Sequence, residues 1–366
     1  MKILELHYST SWAGAERFVI DLSNELSKKH EVILCIIEDD SNPQKSYYLK
    51  DVSKNIKYIN LKCKSGLEWK SLWRIYKTIK KEKPDIVHTH TDALAIFLST
   101  ILIKGPKYIQ TLHSIANEYI AQKRLKIIYK YFYRKKILPI TISNICLESY
   151  KKFYNLSNTI CIDNGRSPLL PTNQAKCIKE EIESLKLHTD DKVFIHIGRY
   201  DNIKNQKLLI NTFNLFLKNG NHAILLLIGA GYDCEECKSM LKNSQKGIYS
   251  LGLKNNICDY LLYSDFFLLS SLYEGLPISL LEAISYGVIP ICTPAGGIPD
   301  VINNKTIGFL SKDYTEDNYY KAIMEAYQAE PHFNRELLKD YFNENFSIRQ
   351  CANKYINIFQ RYLKKS

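Results

Sequence analysis

The sequence predicts an α/β protein built from two doubly wound domains in tandem. Its 366 residues exceed what one hydrophobic core usually accommodates. In both halves of the chain, short apolar runs alternate with amphipathic segments, which is typical of parallel sheets covered by helices. A polar stretch at 164–192 separates the two series. We therefore expect an N-terminal domain over 1–165, a C-terminal domain over 166–346, and a final helix over 347–366 that packs back on the N-terminal domain.

The N-terminal series begins with a strand at 2–8 and a helix at 13–30, in which Phe18, Leu22 and Leu26 share one face. The continuous apolar run "EVILCII" then predicts a strand that is buried on both faces. The rest of this series is a helix at 71–84, a strand at 85–90, a helix at 93–103 and strands at 108–113, 138–143 and 159–164. The alternation predicts a doubly wound sheet for this half.

The C-terminal series repeats this alternation. Its elements are a strand at 193–198, a helix at 205–220 and strands at 222–229, 248–252, 265–271 and 287–293, followed by a helical segment at 347–365. The runs "HAILLLIG" and "GVIPICT" are almost wholly apolar, which favours strands covered on both faces. This half is therefore predicted to hold a second parallel sheet.

Charge and cysteine content narrow the class of protein. The formal net charge is +12 and the pI is near 9.0, which suggests an anionic partner. The lysines are dispersed and no recognition motif for nucleic acid appears. We therefore do not expect the anionic partner to be nucleic acid. Several of the ten cysteines lie inside apolar runs, as in reduced cytosolic proteins. The N-terminus lacks the apolar core of a signal peptide and no apolar run reaches about 18 residues, so we expect a cytoplasmic protein without a spanning helix.

Candidate ligand-binding residues follow the carboxyl ends of the predicted strands, where α/β folds bind ligands. Gly14 follows the first strand and would let a phosphate approach a helix start, although a plain turn explains it equally. His113 ends another strand, where a lone histidine is commonly structural. Arg199 and Lys204 follow "FIHIG" and could hold a diphosphate as a planar fork and a point charge, or could be two solvated surface cations.

The stretch 270–302 contains two glutamates, Glu274 and Glu282, that lie eight positions apart. Pro277 suits the first position of a helix that would end at Gly287, so Glu274 precedes this helix and Glu282 lies in its second turn. The helix N-terminus favours phosphate oxygens, whereas the carboxylates accept hydrogen bonds from hydroxyls. Together with the two cations, these groups predict a site for a nucleotide-sugar; the alternative is that the glutamates only cap the helix or form ion pairs.

These motifs resemble those of the retaining glycosyltransferases of family four, which have the GT-B fold of two Rossmann-like doubly wound domains facing a central cleft. The matching segments run in the family's order from residue 3 to 310 and include "AGAERFVIDLSNEL", "KPDIVHTH", "TLHS", "IGRYDNIKNQKLLINTF" and "YSDFFLLSSLYEGLPISLLEAISYGVIPICTPAGGIPDVI". The two glutamates with Gly-Leu-Pro and Ala-Gly-Gly-Ile-Pro around them form the most specific of these segments. One departure is Ala13–Gly14, where the family usually has two glycines.

The resemblance implies a role for each candidate residue. Arg199 and Lys204 would hold the diphosphate and stabilise its charge as it leaves, and Glu282 would bind the ribose hydroxyls. Glu274 would contact a hydroxyl of the transferred sugar. The other donor contacts would come from Gly14 at the phosphate, the amides of Gly275 and Leu276 near the sugar, His113 near the sugar and the acceptor, and the backbone around Gly252 at the base.

The implied activity is retaining transfer of a hexose from a nucleoside-diphosphate sugar, held by the C-terminal domain, to a glycan or lipid-linked acceptor, held by the N-terminal domain. Surface polysaccharide or lipopolysaccharide biosynthesis is the expected setting. The family needs no metal or other cofactor, and the chain contains no D-x-D motif. Two alternatives stay open, a non-catalytic nucleotide-sugar-binding scaffold subunit and a GT-B-like nucleotide-sugar epimerase. A dehydrogenase is disfavoured because "GAGYDC" lacks the third glycine of the dinucleotide-binding fingerprint.

Two basic, aromatic segments bear on membrane binding. In 68–83, Trp69, Trp73 and Tyr76 fall on one helical face, and we expect this helix to pack on the sheet. The segment 122–136, "QKRLKIIYKYFYRKK", combines seven cations with four aromatic residues, and we expect it to dock on an anionic membrane surface; the alternative is that it packs on the N-terminal sheet. This would place the protein at the inner face of the plasma membrane.

Overall fold

The structure is a computed structural model that describes residues 1–11, 13–43, 45–64, 66, 68–116 and 125–364. The chain divides into two compact units. Unit 1 comprises Met1–Ser167 and Phe346–Ser366, and unit 2 comprises Pro168–Asn345. In the described residues each unit has a parallel sheet covered by helices, so the predicted class of two doubly wound α/β domains is confirmed.

Unit 1 contains a seven-stranded sheet. Its strands are β1 Lys2–His7, β2 Glu31–Glu38, β3 Lys57–Cys63, β4 Ile86–Thr89, β5 Lys107–Leu112, β6 Ile137–Thr141 and β7 Ile160–Cys161. Among the described residues before Ser167, its α-helices are α1 Gly14–Leu26, α2 Trp69–Glu82, α3 Phe97–Leu102, α4 Lys126–Lys135 and α5 Asn144–Tyr154.

The strand order in unit 1 is β3-β2-β1-β4-β5-β6-β7, so the order reverses between β1 and β4. In parallel sheets, the crevice outside the carboxyl ends of the strands at such a reversal is where ligands bind. Because parallel crossovers are right-handed, α2, α3, α4 and α5 lie on one face of the sheet and α1 lies on the other. The core beneath the first group includes Leu4, Cys35, Ile79, Tyr133 and Tyr154, all buried.

Unit 2 contains a six-stranded sheet. Its strands are β8 Lys192–Ile197, β9 Ala223–Ile228, β10 Ile248–Gly252, β11 Phe266–Leu269, β12 Ile289–Cys292 and β13 Phe309–Leu310. Its α-helices are α6 Ala175–Leu185, α7 Gln206–Lys218, α8 Glu235–Lys242, α9 Ile257–Leu262, α10 Ile278–Ser285, α11 Ile298–Val301, α12 Glu316–Ala329 and α13 Arg335–Asn345.

The strand order in unit 2 is β10-β9-β8-β11-β12-β13, so its reversal lies between β8 and β11. These two strands pack through Phe194 and Phe266, whose rings stack with centroids 4.4 Å apart. Strand β9 is buried along its whole length and consists only of apolar residues. The carboxyl ends of β8 and β11 are therefore set on a rigid apolar core.

The last helix, α14 Ile348–Lys364, returns to unit 1 and packs on α1. Tyr355 is fully buried, and its hydroxyl lies 2.8 Å from Thr111 Oγ1 on β5. The join is tight at Gly165, where a Cβ would lie 2.6 Å from the Cβ of Cys351. Only glycine lets the two chain segments approach this closely.

Two features of unit 1 differ from expectation. Strand β3 was not predicted, because most of its residues are only partly buried and its pattern is weakly apolar. The expected packing face of α2 is wrong: Ile75 and Ile79 are buried, whereas Trp69 is 69% and Trp73 is 44% exposed. Among the described residues, no helix combines the length and apolar character needed to cross a membrane.

Candidate active site

Two predicted cations lie in the loop between β8 and α7. Arg199 follows Gly198 at the end of β8, and its guanidinium donates hydrogen bonds of 3.2 and 2.9 Å to Asp201 Oδ2. Asp201 Oδ1 accepts the backbone N–H groups of Ile203 and Lys204. Asp201 therefore shapes the loop and orients Arg199, whose side chain stays 71% exposed.

Gln206, the first residue of α7, fastens this loop from the inside. Its buried side chain donates a 2.8 Å hydrogen bond to the carbonyl of Arg199 and accepts one of 3.3 Å from the N–H of Asp201. The preceding residue, Asn205, has φ 51°, a left-handed conformation that asparagine adopts more readily than most residues. These contacts fix the loop against the helix N-terminus.

Glu274 lies in the loop between β11 and α10 and contacts Lys204 directly. Lys204 Nζ donates to Glu274 Oε1 at 2.6 Å, and Ser271 Oγ donates to the same oxygen at 2.6 Å. The Lys204 side chain is 23% exposed and that of Glu274 is 10% exposed. Because burial reduces screening by water, this ion pair joins the two loops more firmly than an exposed pair would.

The backbones of the same two loops are also bonded to each other. Ser270 Oγ lies 2.9 Å from the carbonyl oxygens of both Lys204 and Asn205. The N–H of Leu272 donates to the carbonyl of Ile203 at 2.8 Å. Since β8 and β11 are the strands at which the order reverses, these loops form the crevice in which unit 2 is expected to bind a ligand.

A third loop, after β12, packs against the backbone of Glu274. Gly296 has φ 57°, and a Cβ there would lie 1.6 Å from the carbonyl oxygen of Glu274, so only glycine fits. The N–H of Gly297 donates to the carbonyl of Gly275 at 2.9 Å. The Ala-Gly-Gly part of the motif therefore holds the Glu274 loop in place.

The other predicted donor-binding residues of unit 2 lie in the same loops, in helix α10 or at the carboxyl end of β10. Glu282 lies in the second turn of α10 and is buried. Leu276 is also buried, and Pro277 occupies the N-cap with ψ 124°, so its expected placement as the first helical residue is wrong by one position. Gly252 ends β10 with φ 66°, and a Cβ there would meet no atom within 4 Å.

The structure thus brings Arg199, Lys204 and Glu274 together at one edge of the unit 2 sheet. A planar guanidinium and an ammonium can neutralise a diphosphate, while carboxylates can accept hydrogen bonds from sugar hydroxyls. The N-terminus of α7 adds backbone N–H groups and a positive dipole end. The arrangement is suited to stabilising negative charge beside a bound polyol.

Gly14 and His113 belong to unit 1. Gly14 is the first residue of α1 and is exposed. His113 follows β5, and its Nε2 lies 3.0 Å from Nδ1 of His90. Burial and the neighbouring His90 lower the pKa of His113 well below its usual range, so this ring is neutral at pH 7.

Sequence reasoning missed the residues behind His113. Oε2 of Glu5 lies 2.8 Å from His90 Nε2 and 2.9 Å from His88 Nδ1, and all three side chains are buried. A signal was present, because buried acidic groups need partners and Glu5 interrupts an apolar strand. Gln206 gave no such signal, since its position looks like an ordinary helix start.

The two parallel sheets and the strand-end motifs define a glycosyltransferase of the GT-B class. Residues 12–166 match the family described as "Glycosyltransferase Family 4", and residues 178–343 match the one described as "Glycosyl transferases group 1". Together the two matches span most of both units. The chain belongs to the family-four glycosyltransferases, as the resemblance implied.

Similar proteins include two bacterial glycosyltransferases. The Escherichia coli UDP-Gal:α-D-GlcNAc-diphosphoundecaprenol α-1,3-galactosyltransferase is 27% identical over 337 residues, which cover 88% of this chain and 81% of that protein. The Staphylococcus aureus capsular polysaccharide biosynthesis glycosyltransferase CapH is 25% identical, with 80% and 81% covered.

Solved structures with the same fold include a glycosyltransferase from Rickettsia africae. It has a TM-score of 0.84 and 20% identity, and the likeness covers 100% of this chain and 99% of that one. Anabaena HepE in complex with UDP and glucose has a TM-score of 0.79 and 16% identity, with 99% and 100% covered. At these identities the likeness establishes the fold alone.

Proposed function

We propose that the protein is a retaining hexosyltransferase that moves a sugar from a nucleoside-diphosphate sugar to a glycan or lipid-linked acceptor during surface polysaccharide or lipopolysaccharide biosynthesis. The observation that carries the proposal is the 2.6 Å contact between Lys204 and Glu274 at the reversal point of the unit 2 sheet. This contact joins a phosphate-binding cation to a hydroxyl-binding carboxylate in one site. Support for the acceptor class comes from one relative named for a diphosphoundecaprenol-linked sugar and another named for capsular polysaccharide.

The proposed donor site assigns the diphosphate to Arg199 and Lys204, because they supply the two kinds of cation that phosphate oxygens bind. Glu282 binds the ribose hydroxyls and Glu274 binds a hydroxyl of the transferred sugar. The remaining assignments are the N–H groups of Gly275 and Leu276 to the sugar, the backbone at Gly252 to the base, Gly14 to a phosphate and His113 to the sugar.

The proposed reaction breaks the bond between the anomeric carbon and the β-phosphate oxygen. A new bond forms from the acceptor oxygen on the same face of the sugar, and the acceptor's proton passes to the departing phosphate oxygen. Negative charge grows on that phosphate in the transition state, where Arg199 and Lys204 stabilise it. No metal is assigned a role, because these cations and the helix N-terminus supply the positive charge.

Donor binding would change the partner of Lys204. In the structure Lys204 Nζ is bonded to Glu274, which also accepts from Ser271. A diphosphate would draw Lys204 toward itself, and a sugar hydroxyl could then donate to Glu274 in its place. The ion pair therefore keeps both side chains near the positions that the donor requires, which reduces the reorganisation that accompanies binding.

The test is a panel of nucleoside-diphosphate sugars scored for thermal stabilisation and hydrolysis, followed by transfer to polyprenyl-diphosphate-linked and glycolipid acceptors. We expect one donor to stabilise and to be consumed, and proton NMR of the product to show the anomeric configuration of the donor. Activity should persist in EDTA. An inverted product would refute the retaining mechanism, and loss of activity in EDTA would refute metal independence. Binding without turnover would favour the scaffold subunit.

We also propose that unit 1 docks on an anionic membrane through the outer surface of α2 and α4, which we call the docking face. On it Trp69 is 69%, Ile127 79% and Tyr131 56% exposed. Arg134 and Lys135, at the end of α4, are exposed beside these apolar groups. Exposed apolar residues flanked by cations are typical of helices that lie in the membrane interface.

Sedimentation with vesicles of phosphatidylglycerol and phosphatidylcholine tests the docking face. Replacing Ile127 and Tyr131 by serine should weaken binding about tenfold or more, because each buries apolar area in the interface. Removing Arg134 and Lys135 should weaken binding only to the anionic vesicles. Leu170→Ser is the matched control, since this leucine is 79% exposed but lies in unit 2. If the variant with serine at Ile127 and Tyr131 binds vesicles as the unaltered protein does, α4 has only a structural role.

Lys123 and Arg124 of the predicted segment lie outside the described residues.

A further inference from the structure

Two cysteines lie near each other at the start of α8 in unit 2. Cys234 occupies the N-cap of this helix and Cys237 is its third residue, with two glutamates between them. The sulfur of Cys234 accepts a hydrogen bond of 3.4 Å from the backbone N–H of Cys237. Side chains at the N-cap and at the third helical position face each other, as the reciprocal bonds of capping boxes show. Both thiols therefore lie at the same end of the helix.

The two cysteines differ in their access to solvent. Cys234 is partly exposed, whereas Cys237 is fully buried in the apolar core of unit 2. Burial, together with the nearby Cys234 and Glu236, raises the pKa of the Cys237 thiol to about 11. Because the thiolate is the nucleophile in disulfide exchange, Cys237 reacts slowly at pH 7 with a reagent that comes from water. Cys234 is therefore the thiol that an external disulfide meets first.

The segment just before this pair contacts the loop that carries Arg199. Tyr232 is buried, and its hydroxyl accepts a 3.4 Å hydrogen bond from the side-chain amide of Gln206. The same amide donates to the carbonyl of Arg199 at 2.8 Å. In addition, the backbone N–H of Tyr200 donates to the carbonyl of Ala230 at 2.8 Å. A change in packing at the start of α8 would therefore reach the Arg199 loop.

We propose that Cys234 and Cys237 form a redox-active pair, which oxidised glutathione converts to an internal disulfide, and that this disulfide loosens the Arg199 loop. The Cys234 thiolate attacks one sulfur of glutathione disulfide, forms a mixed disulfide and releases one glutathione. Cys237 then loses its proton and attacks the Cys234 sulfur, and the second glutathione leaves. The pair loses two electrons and two protons, and the reagent is reduced to two thiols. The new bond draws the Cys237 sulfur from the core toward the N-cap.

Metal binding is the rival explanation, because paired cysteines at this spacing supply half of the ligands in many zinc sites. Among the described residues, the groups of three side chains whose ligand atoms converge include neither Cys234 nor Cys237. The sulfur of Cys234 is instead bonded to a backbone N–H. Stoichiometric zinc in the purified protein, retained after dialysis and lost with Cys234→Ser, would overturn the proposal.

The direct test is peptide mapping of the full chain after incubation with oxidised glutathione. Trypsin releases both cysteines in one peptide, 219–238, because no lysine or arginine lies between Lys218 and Lys238. We expect this peptide to lose the mass of two hydrogen atoms and to resist N-ethylmaleimide until it is reduced. Cys177→Ser, which removes an exposed cysteine of α6, should give the same result. A peptide that stays alkylatable, or that carries glutathione without an internal disulfide, would overturn the proposal.

Single substitutions test the order of attack. Cys237→Ala should trap glutathione on Cys234, because the second thiol is missing. In Cys234→Ser, Cys237 should react with glutathione disulfide at least about tenfold more slowly than Cys234 does in the first variant, since Cys237 is buried. Circular dichroism would confirm that both variants are folded. Equal rates for the two cysteines in folded variants would overturn the proposed order of attack.

Amide hydrogen exchange of the reduced and oxidised proteins tests the effect on the Arg199 loop. The N–H groups of Gly198 and Tyr200 donate to carbonyls in the segment 228–230 at 2.9 and 2.8 Å. Oxidation should speed their exchange roughly threefold or more, whereas Cys234→Ser treated with the same reagent should show no change. Unchanged exchange in the fully oxidised protein would refute the effect on the loop. Because these measurements need no sugar donor, a failure to find one would refute the proposed function without altering them.

Discussion

Units 1 and 2 share one architecture but place their polar groups differently. The central strands of unit 1 carry Glu5, His88 and Gln110, all with 0% exposure. In unit 2, β9 is wholly apolar and the buried polar side chain of β8 is His196, which bonds to the carbonyl of Leu268. The charged groups of unit 2 instead follow the strands, in the loops at the sheet edge.

The difference shows that one fold supports two kinds of site. A buried network fixes proton positions and orientation, because every member has a partner and no water competes. Charges in edge loops keep access to a ligand and can change partner when it binds. Activity should therefore be most sensitive to substitutions in the unit 2 loops, and proton-dependent stability should be most sensitive in unit 1.

The largest effect is expected from the two cations of unit 2. Arg199→Ala or Lys204→Ala should lower kcat roughly 100-fold or more, the scale of removing one preorganised group that stabilises the leaving charge. Arg199→Ala should leave the melting temperature nearly unchanged, since its side chain is 71% exposed. Lys218→Ala, at the exposed far end of α7, controls for loss of one positive charge. If both folded site variants kept near-normal turnover, the diphosphate assignment would be wrong.

Substitution of Glu282 should have a smaller effect, and this effect should be on the donor KM and not on kcat. Its proposed ribose contact exists in both the ground state and the transition state, so Glu282→Ala should mainly raise the donor KM, by roughly tenfold. Initial rates over a range of donor concentrations measure the two parameters separately. A fall in kcat at unchanged KM would move Glu282 from nucleotide binding to the chemical step.

Two glycines sharpen the distinction between loop geometry and loop charge. Gly296→Ala places a Cβ against the carbonyl of Glu274 in a left-handed conformation, so it should lower the melting temperature by roughly 5 to 10 °C and weaken donor binding. Gly220→Ala is the control, because its φ is also positive but a Cβ meets no atom within 4 Å. It should cost only about 1 kcal/mol of backbone strain. Equal effects of the two substitutions would show that the Glu274 loop tolerates displacement.

Lowering the pH should destabilise unit 1 more than unit 2, and this difference is the smallest of the expected effects. The folded pKa values of His90, about 3, and of His113, well below its usual range, lie under the unfolded value near 6.5. The unfolded chain therefore binds more protons as pH falls below 6.5, and stability is lost in that direction. Unit 2 has one such histidine, His196, with a pKa lowered to about 4 by burial.

Amide hydrogen exchange at pH 7 and pH 6, corrected for intrinsic rates, would measure this difference. Strands β4 and β5 should lose more protection than β8 and β9, by about 1 kcal/mol or less in opening free energy. His196→Gln should reduce the pH dependence of amide protection in unit 2 alone. Equal losses in both units would mean that the histidines of unit 1 do not control its acid stability.

The fold was predictable where strands are buried on both faces. The runs that form β2 and β9 contain few polar residues, and such runs have few other structural solutions. Strand β3 was not predicted because it lies at the edge of its sheet, where burial is incomplete. The pairing of β8 with β11 could not be read from chain order, since β9 and β10 intervene in the sequence.

The same limit applies to the site. Arg199, Lys204 and the two glutamates were found because they follow strands or start a helix. The contact of Lys204 with Glu274 joins residues 70 positions apart and depends on strand order. The hydrogen bonds that link Glu5, His90 and His113 involve three strands at once. Each of these residues looks like an ordinary strand residue when it is considered alone. Pairwise geometry of this kind is a property of the folded sheet.

Unit 1 is made of two separate stretches of chain, and this affects its synthesis. The buried face around Thr111 is completed by Tyr355 of α14, near the end of the chain. Unit 2 is a continuous stretch that emerges whole before α14 does. Domains generally fold as they leave the ribosome. We therefore expect unit 2 to fold before unit 1 is complete, and chains arrested before residue 346 to show proteolytic resistance in unit 2 only. Resistance of unit 1 in such arrested chains would mean that α14 is dispensable for its assembly.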